Sequence, residues 1–166
     1  MEEIANDRVD EIQSEWRRER PDLDVSPQGL IGRLHRVAAA LTGELVPVYT
    51  RHGLSEGEFD VLATLRRAGA PYERAPGELA AHTMVTTGAM TKRIDRLVEA
   101  GLVLRESGAG DGRRRVVSLT ERGRDVIDAA FEEHMANEHR LAALLGAEDR
   151  AALEPVLRRW LRALDG

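Results

Sequence analysis

The sequence predicts a mainly α fold with a small β-hairpin (α+β), and three observations carry that prediction. Apolar residues recur at helical spacing in successive segments along the chain. One interval breaks the pattern: Leu102-Val103-Leu104 and Val116-Val117-Ser118-Leu119 are β-prone and flank the glycine-rich loop Ser107 to Gly112. Three consecutive arginines, Arg113, Arg114 and Arg115, stand just past the loop tip, and a helix signal from Thr86 to Gly101 precedes the pair of strands. A helix followed by a hairpin with a basic tip, with Ala75 to Thr83 as the supporting helix before it, reads as a winged helix-turn-helix spanning residues 54–119.

The elements follow in order. Residues 1–20 form an extra N-terminal helix, polar and amphipathic, in which Val9, Ile12 and Trp16 share a face and Trp16 is the only large anchor. Such a helix is too polar to stand alone and is expected to dock its Trp16 face on the rest of the protein. Pro21 to Val25 breaks it, and Ser26-Pro27 reads as N-cap and first residue of a second helix. That helix carries Leu30, Leu34, Val37, Leu41, Leu45 and Val48, and Pro47 should kink it or end its regular part. Ser55 caps a third helix bearing Phe59, Asp60, Leu62 and Leu65, closed by Gly69; Ala70 to Arg74 is a loop, and Pro76 opens a short helix.

Thr86 is the expected N-cap of the next helix, whose Met90, Ile94, Leu97 and Val98 make one buried stripe before Gly101 closes it. After the hairpin, Thr120 starts a long helix with Ile127, Phe131, Leu141, Leu144 and Leu145, and Gly146 ends it. In the last helix Leu153, Val156, Leu157, Trp160 and Leu164 form a stripe; Pro155 predicts a kink or a start nearer Ala152. The two end regions, 27–52 and 120–165, carry more apolar face than one lobe can bury, which points to dimerisation helices and a homodimer.

The spacing of particular residues resembles one family. Asp111-Gly112-Arg113, then Leu119-Thr120 with Gly123, resembles the wing signature of the MarR family of bacterial regulators. Leu79-Ala80, Gly88-Ala89-Met90-Thr91, Leu97 to Val103 and Arg105 are similar to that family's helix-turn-helix, and the resemblance spans roughly residues 27 to 164. The chain departs from the pattern after Ala81, where His82-Thr83-Met84 replaces the turn glycine. The resemblance implies a homodimeric regulator, a repressor, bound to a pseudo-palindromic double-stranded DNA operator.

On a helical wheel advancing about 100° per residue, Gly88, Lys92 and Arg96 lie opposite the buried stripe. Thr87, Gly88, Thr91, Lys92 and Arg96 are therefore expected on the major-groove face, the threonine hydroxyls and cationic groups reaching base edges or phosphates, and the N-cap Thr86 is expected among the DNA-binding residues. In the wing, Asp111 is expected to pair with Arg113 or Arg115, leaving an arginine of the Arg113-Arg114-Arg115 set for the minor groove or a phosphate. The net charge of −5 conceals this polarity: the seven cations and four carboxylates between Thr91 and Arg115 leave that stretch at +3 and the remainder at −8.

Arg93 falls at the edge of the buried stripe, away from the DNA face, where a charge needs an internal partner or a ligand. The extension Asp7 to Pro27 resembles the extra helix of the PecS and urate-responsive branch of MarR proteins. That resemblance implies four ligand-binding positions, Trp16, Asp60, Arg93 and Arg105, and a small anionic ligand, urate or similar. An indole face with guanidinium donors suits a flat, oxygen-rich anion. Two alternatives are a different effector (a phenolic, another carboxylate or a metal) and a protein-interaction module that no longer binds DNA; three adjacent arginines speak against the latter.

With no cysteine, disulfides, thiolate metal sites and cysteine catalysis are excluded. No apolar run approaches membrane-spanning length and the N-terminus is acidic, so a cytoplasmic protein without a membrane partner is expected. His134 and His139 do not share a helical face; His134 with Glu138 could hold a metal, but no cofactor is expected. No phosphate-binding loop, nucleophile elbow or paired-carboxylate motif supports an enzyme.

Overall fold

A computed structural model describes residues 5–83, 90–107 and 115–166. The chain divides into two compact units, 1–44 and 45–166. The elements run α1 (Arg8–Glu19), α2 (Ser26–Arg51), α3 (Glu56–Arg67), β1 (Glu73–Arg74), α4 (Pro76–His82), α5 (Met90–Glu99), β2 (Val103–Ser107), β3 (Arg115–Leu119), α6 (Glu121–Ala142) and α7 (Ala147–Asp165).

In the first unit Asp7 caps α1 by accepting hydrogen bonds from the Val9 and Asp10 amides, and Asp10 reaches back to the Asp7 amide. Val9 and Gln13 are the buried residues of α1. Val9 lies over Gly32 of α2, where a built Cβ would stand 3.3 Å from a Val9 methyl. Gln13 donates 2.8 Å to the Val25 carbonyl, tying α1 to the turn that starts α2. Arg33 closes the arrangement with ion pairs to Asp7 at 2.8 Å and Asp10 at 2.7 Å. Trp16 is 48% exposed, so Val9 and Gln13, rather than the indole, anchor this helix within its unit. Ser26 is already helical; Asp24, two residues earlier, accepts from its amide at 2.9 Å, so the capping carboxylate precedes the expected Ser26.

The second unit is built on α3. Ser55 and Glu58 form a reciprocal capping box: the Ser55 hydroxyl accepts from the Glu58 amide and Glu58 accepts from the Ser55 amide at 2.8 Å. The core is Leu62 and Leu65 of α3, Leu79 of α4, Ile94 and Leu97 of α5, Val103 and Val117 of the sheet, and Ile127 of α6, all at 1% exposure or less. Tyr49, Phe59, Phe131 and His134 stack beside it, with the Tyr49 hydroxyl 3.2 Å from His134 Nδ1.

The sheet has three antiparallel strands in the order β1-β3-β2. Val103 pairs with Leu119 and Ser107 with Arg115, which brings the hairpin's two sides together as the sequence pattern requires. Residues 73 and 74, read from the sequence as loop, pair with Ser118 and Val117. A two-residue strand carries too few positions to show alternation.

The wing is clamped to the long helix. Gly101, at φ 67°, ends α5 in the left-handed region. The Thr120 hydroxyl donates to the Gly101 and Leu102 carbonyls at 2.9 and 3.1 Å and accepts from the Gly123 amide at 2.9 Å. A Cβ at Gly123 would sit 1.9 Å from the Leu102 carbonyl oxygen, so only glycine permits this approach.

Three further details bear on the sequence reading. Val98 is 39% exposed, so the buried stripe of α5 is Met90, Ile94 and Leu97. Helix α2 continues through Pro47 to Arg51; the proline forfeits one ladder bond, and burial of Val48 and Tyr49 holds the final turn. Helix α7 begins at Ala147, with Glu148 and Asp149 in its first turn, and passes through Pro155. This last helix buries none of its residues: Leu153, Val156, Leu161 and Leu164 are all exposed, and Leu157 and Trp160 half-buried. No helix among the described residues is long and apolar enough to cross a membrane.

Candidate nucleic-acid interface and effector site

Helix α5 organises the site because its two sides meet different surroundings. Thr91, Lys92 and Arg96 point outward and are exposed. Arg96 reaches back only loosely, 3.9 Å from the Glu58 carboxylate of α3. Arg115 at the start of β3 is exposed as well. The expected contacts Thr86, Thr87, Gly88, Asp111, Arg113 and Arg114 lie outside the described residues.

The inward side carries Arg93. Its guanidinium lies across the first turn of α3, against Gly57: a Cβ built there would be 2.2 Å from Nε and 2.6 Å from Cζ. Arg93 Nη1 is buried and has no hydrogen-bond partner among the described residues, which leaves a strong donor unmatched there. Asp60 is half-buried three residues along α3 from Gly57, hence on the same side of that helix. Arg105 does not stand idle: its Nη2 pairs at 2.9 Å with Asp95 of α5, so the base of the wing is tied to the helix beside it. Trp16 belongs to α1 of the first unit and is exposed there.

Sequence reasoning missed Gly57, Glu58 and Asp95. The Ser55-x-x-Glu58 spacing is a legible capping box, but nothing in a glycine's local context announces that an arginine 36 positions later lies on it. Asp95 likewise has no local signal, since its partner sits on a different element. Among the described residues no group of three or more His, Asp or Glu side chains is placed to hold a metal ion.

Comparison with known proteins places this architecture. The MarR family model matches residues 52–114, the span from the end of α2 into the wing. The HTH-type transcriptional regulator PecS of Dickeya dadantii is 40% identical over 151 residues, covering 91% of each chain. The chain belongs to the MarR family. An HTH-type transcriptional repressor of Mycobacterium tuberculosis is 31% identical over 136 residues, 82% of this chain and 94% of its own. Among solved structures, a MarR family regulator from Streptomyces coelicolor in complex with DNA superposes with a TM-score of 0.74 at 22% identity, over 87% of this chain and 91% of that one. As a MarR-family, PecS-like transcriptional regulator, the protein is a DNA-binding protein and not an enzyme.

Proposed function

We propose that the protein is a homodimeric repressor, released from a pseudo-palindromic operator by a small anionic ligand of the urate type. The observation that carries this reading is the division of α5: Thr91, Lys92 and Arg96 are exposed on one side, and Arg93 keeps a buried, unmatched Nη1 on the other. A helix that grips DNA outwardly and offers an anion donor inwardly couples the two events mechanically. An anion drawn to Arg93 moves the same rigid rod that carries Lys92 and Arg96. Asp60 on α3 sets the local charge; Trp16 and Arg105 are the further ligand positions that the resemblance brings. Release requires the ligand to prefer the DNA-incompetent arrangement, and a tenfold loss of operator affinity corresponds to about 1.4 kcal/mol of such preference.

Residues 54–119 serve as the DNA-reading lobe, with Thr86, Thr87, Gly88, Thr91, Lys92 and Arg96 at the major groove and the wing residues Asp111 and Arg113 to Arg115 at the flanking backbone. The segments 27–52 and 120–165 serve as dimerisation helices, with 1–20 as the extra helix. The exposed Leu153, Val156, Leu161 and Leu164 of α7 support that assignment, since a lone subunit leaves them in water. The Streptomyces coelicolor regulator of the same fold, solved in complex with DNA, supports DNA as the partner.

The test is a mobility-shift titration on the DNA flanking the protein's own gene, with and without urate, paired with fluorescence in a Trp160→Phe background so that emission reports on Trp16. Urate should quench that emission after inner-filter correction and release the DNA. Arg93→Ala and Asp60→Asn should weaken the ligand response more than DNA binding. Neither quenching nor release at millimolar urate would refute the urate assignment, and a phenolic or other carboxylate titrated in the same assay is the next arm.

A further inference from the structure

We propose that Gly57 is the positioning residue of the effector site: its bare α-carbon is the seat that holds the Arg93 guanidinium against α3. A single methyl group at this position evicts the guanidinium. The inference deepens the effector reading above and rests on it for its ligand arm.

The geometry is specific to this glycine. Gly57 is buried in the first turn of α3. A Cβ added there meets Arg93 three times over, at 2.2 Å from Nε, 2.6 Å from Cζ and 2.9 Å from Cδ. Contacts this short do not occur between real side chains. Because the overlap begins at Cδ, rotating the outer torsions alone does not relieve it, and the stem of Arg93 has to swing away. Gly77, which holds the same early place in α4, has nothing within 4 Å of a built Cβ, so a glycine at the start of a helix is not in itself a requirement of this fold. Helix propensity would favour alanine at both places. At position 57 the arginine opposes that preference, and glycine is what allows Nη1 to be held buried with no hydrogen-bond partner among the described residues.

A double-mutant cycle tests the seat: the full-length protein, Gly57→Ala, Arg93→Ala and the double variant, each measured by thermal unfolding without ligand and by the urate concentration that half-releases operator DNA. With Arg93 gone, Gly57→Ala should raise the melting temperature, as alanine does in an unobstructed helix. With Arg93 present the same change should give no rise or a fall. In the release assay Gly57→Ala should need at least tenfold more urate than the unmodified protein, as Arg93→Ala does, and the double variant should be no worse than either. Equal melting shifts in both backgrounds overturn the seat. Coupled melting with an unchanged urate response overturns its role in positioning. An unmodified protein that ignores urate removes the effector half together with the reading it rests on, while the melting cycle still decides whether Gly57 seats Arg93. If Gly57→Ala does not fold, the double variant carries the decision: its recovery of a cooperative transition upholds the seat, and its failure to fold overturns it.

Discussion

Gly123→Ala is the sharpest structural test, because the perturbation is one methyl group and its neighbour is backbone. The new Cβ would lie 1.9 Å from the Leu102 carbonyl oxygen and 2.8 Å from its carbonyl carbon. No side-chain torsion relieves that overlap, so the start of α6 must back away from the start of β2 by more than an ångström. The separation strains or breaks the hydrogen bonds from the Thr120 hydroxyl to the Gly101 and Leu102 carbonyls and the one from the Gly123 amide to that hydroxyl. Lost bonds cost about 1 kcal/mol each and overpacking about 1–3 kcal/mol, offset by up to about 1 kcal/mol of helix propensity. The net is roughly 2–4 kcal/mol of destabilisation, or a melting temperature lower by roughly 5–15 °C for a chain of this size. Thermal circular dichroism measures it, with Gly77→Ala as the control: that glycine is also helical, yet nothing lies within 4 Å of its built Cβ. Gly77→Ala should melt at or above the parent temperature. A Gly123→Ala protein that melts level with Gly77→Ala would refute the close-approach argument.

Three further outcomes are expected. Arg113→Ala with Arg115→Ala should lower operator affinity and flatten its salt dependence by about one unit per lost phosphate contact; unchanged affinity across a salt series would put the wing off the DNA. Removal of residues 147–166 should cause aggregation or loss of cooperative unfolding, because none of those residues is fully buried within the chain and they are assigned to the dimer core; a folded, DNA-binding monomer by analytical ultracentrifugation would refute that assignment. Arg33 and the amides of Val9 and Asp10 hold the Asp7 carboxyl down at about 2. Its stabilising effect is therefore present above the ordinary carboxylate range and is lost as pH falls through about 2. An Asp7→Asn protein should show a shallower acid transition than the parent between pH 4 and about 2, and identical acid titrations of stability would count against the Asp7–Arg33 tie.

How much of this was legible in the sequence depended on the range of the interaction involved. Helix starts at Ser55, Pro76 and Thr120, and helix ends at Gly69 and Gly101, rest on local backbone chemistry, and all fall where the sequence puts them. The hairpin itself followed from two short β-prone runs flanking a glycine-rich loop, while its register did not. Exposure was harder: Val98 completes a helical stripe on paper, yet the stripe's edge is left in solvent once Ile94 and Leu97 fill the space. The prolines at 47 and 155 neither end nor delay their helices, which run 26 and 19 residues, although each removes a ladder bond. In the site, the outward disposition of Lys92 and Arg96 and the inward one of Arg93 came from helical geometry alone. The Arg93–Gly57 seat and the Asp95–Arg105 pair did not, since both join residues far apart in the chain whose meeting depends on tertiary packing.

The ten residues of α5 fall into two sets of five. Met90, Arg93, Ile94, Asp95 and Leu97 are engaged by the rest of the protein or turned toward it, while Thr91, Lys92, Arg96, Val98 and Glu99 are exposed. Substitutions in the second set leave core packing, the Gly57 seat and the hold on the wing untouched. On the proposed docking, descendants of this chain can drift to new target sequences without relearning how to fold. On that docking the same partition gives an engineer a short list: randomising positions 91, 92 and 96 explores new operators while the inward side of α5 stays unaltered.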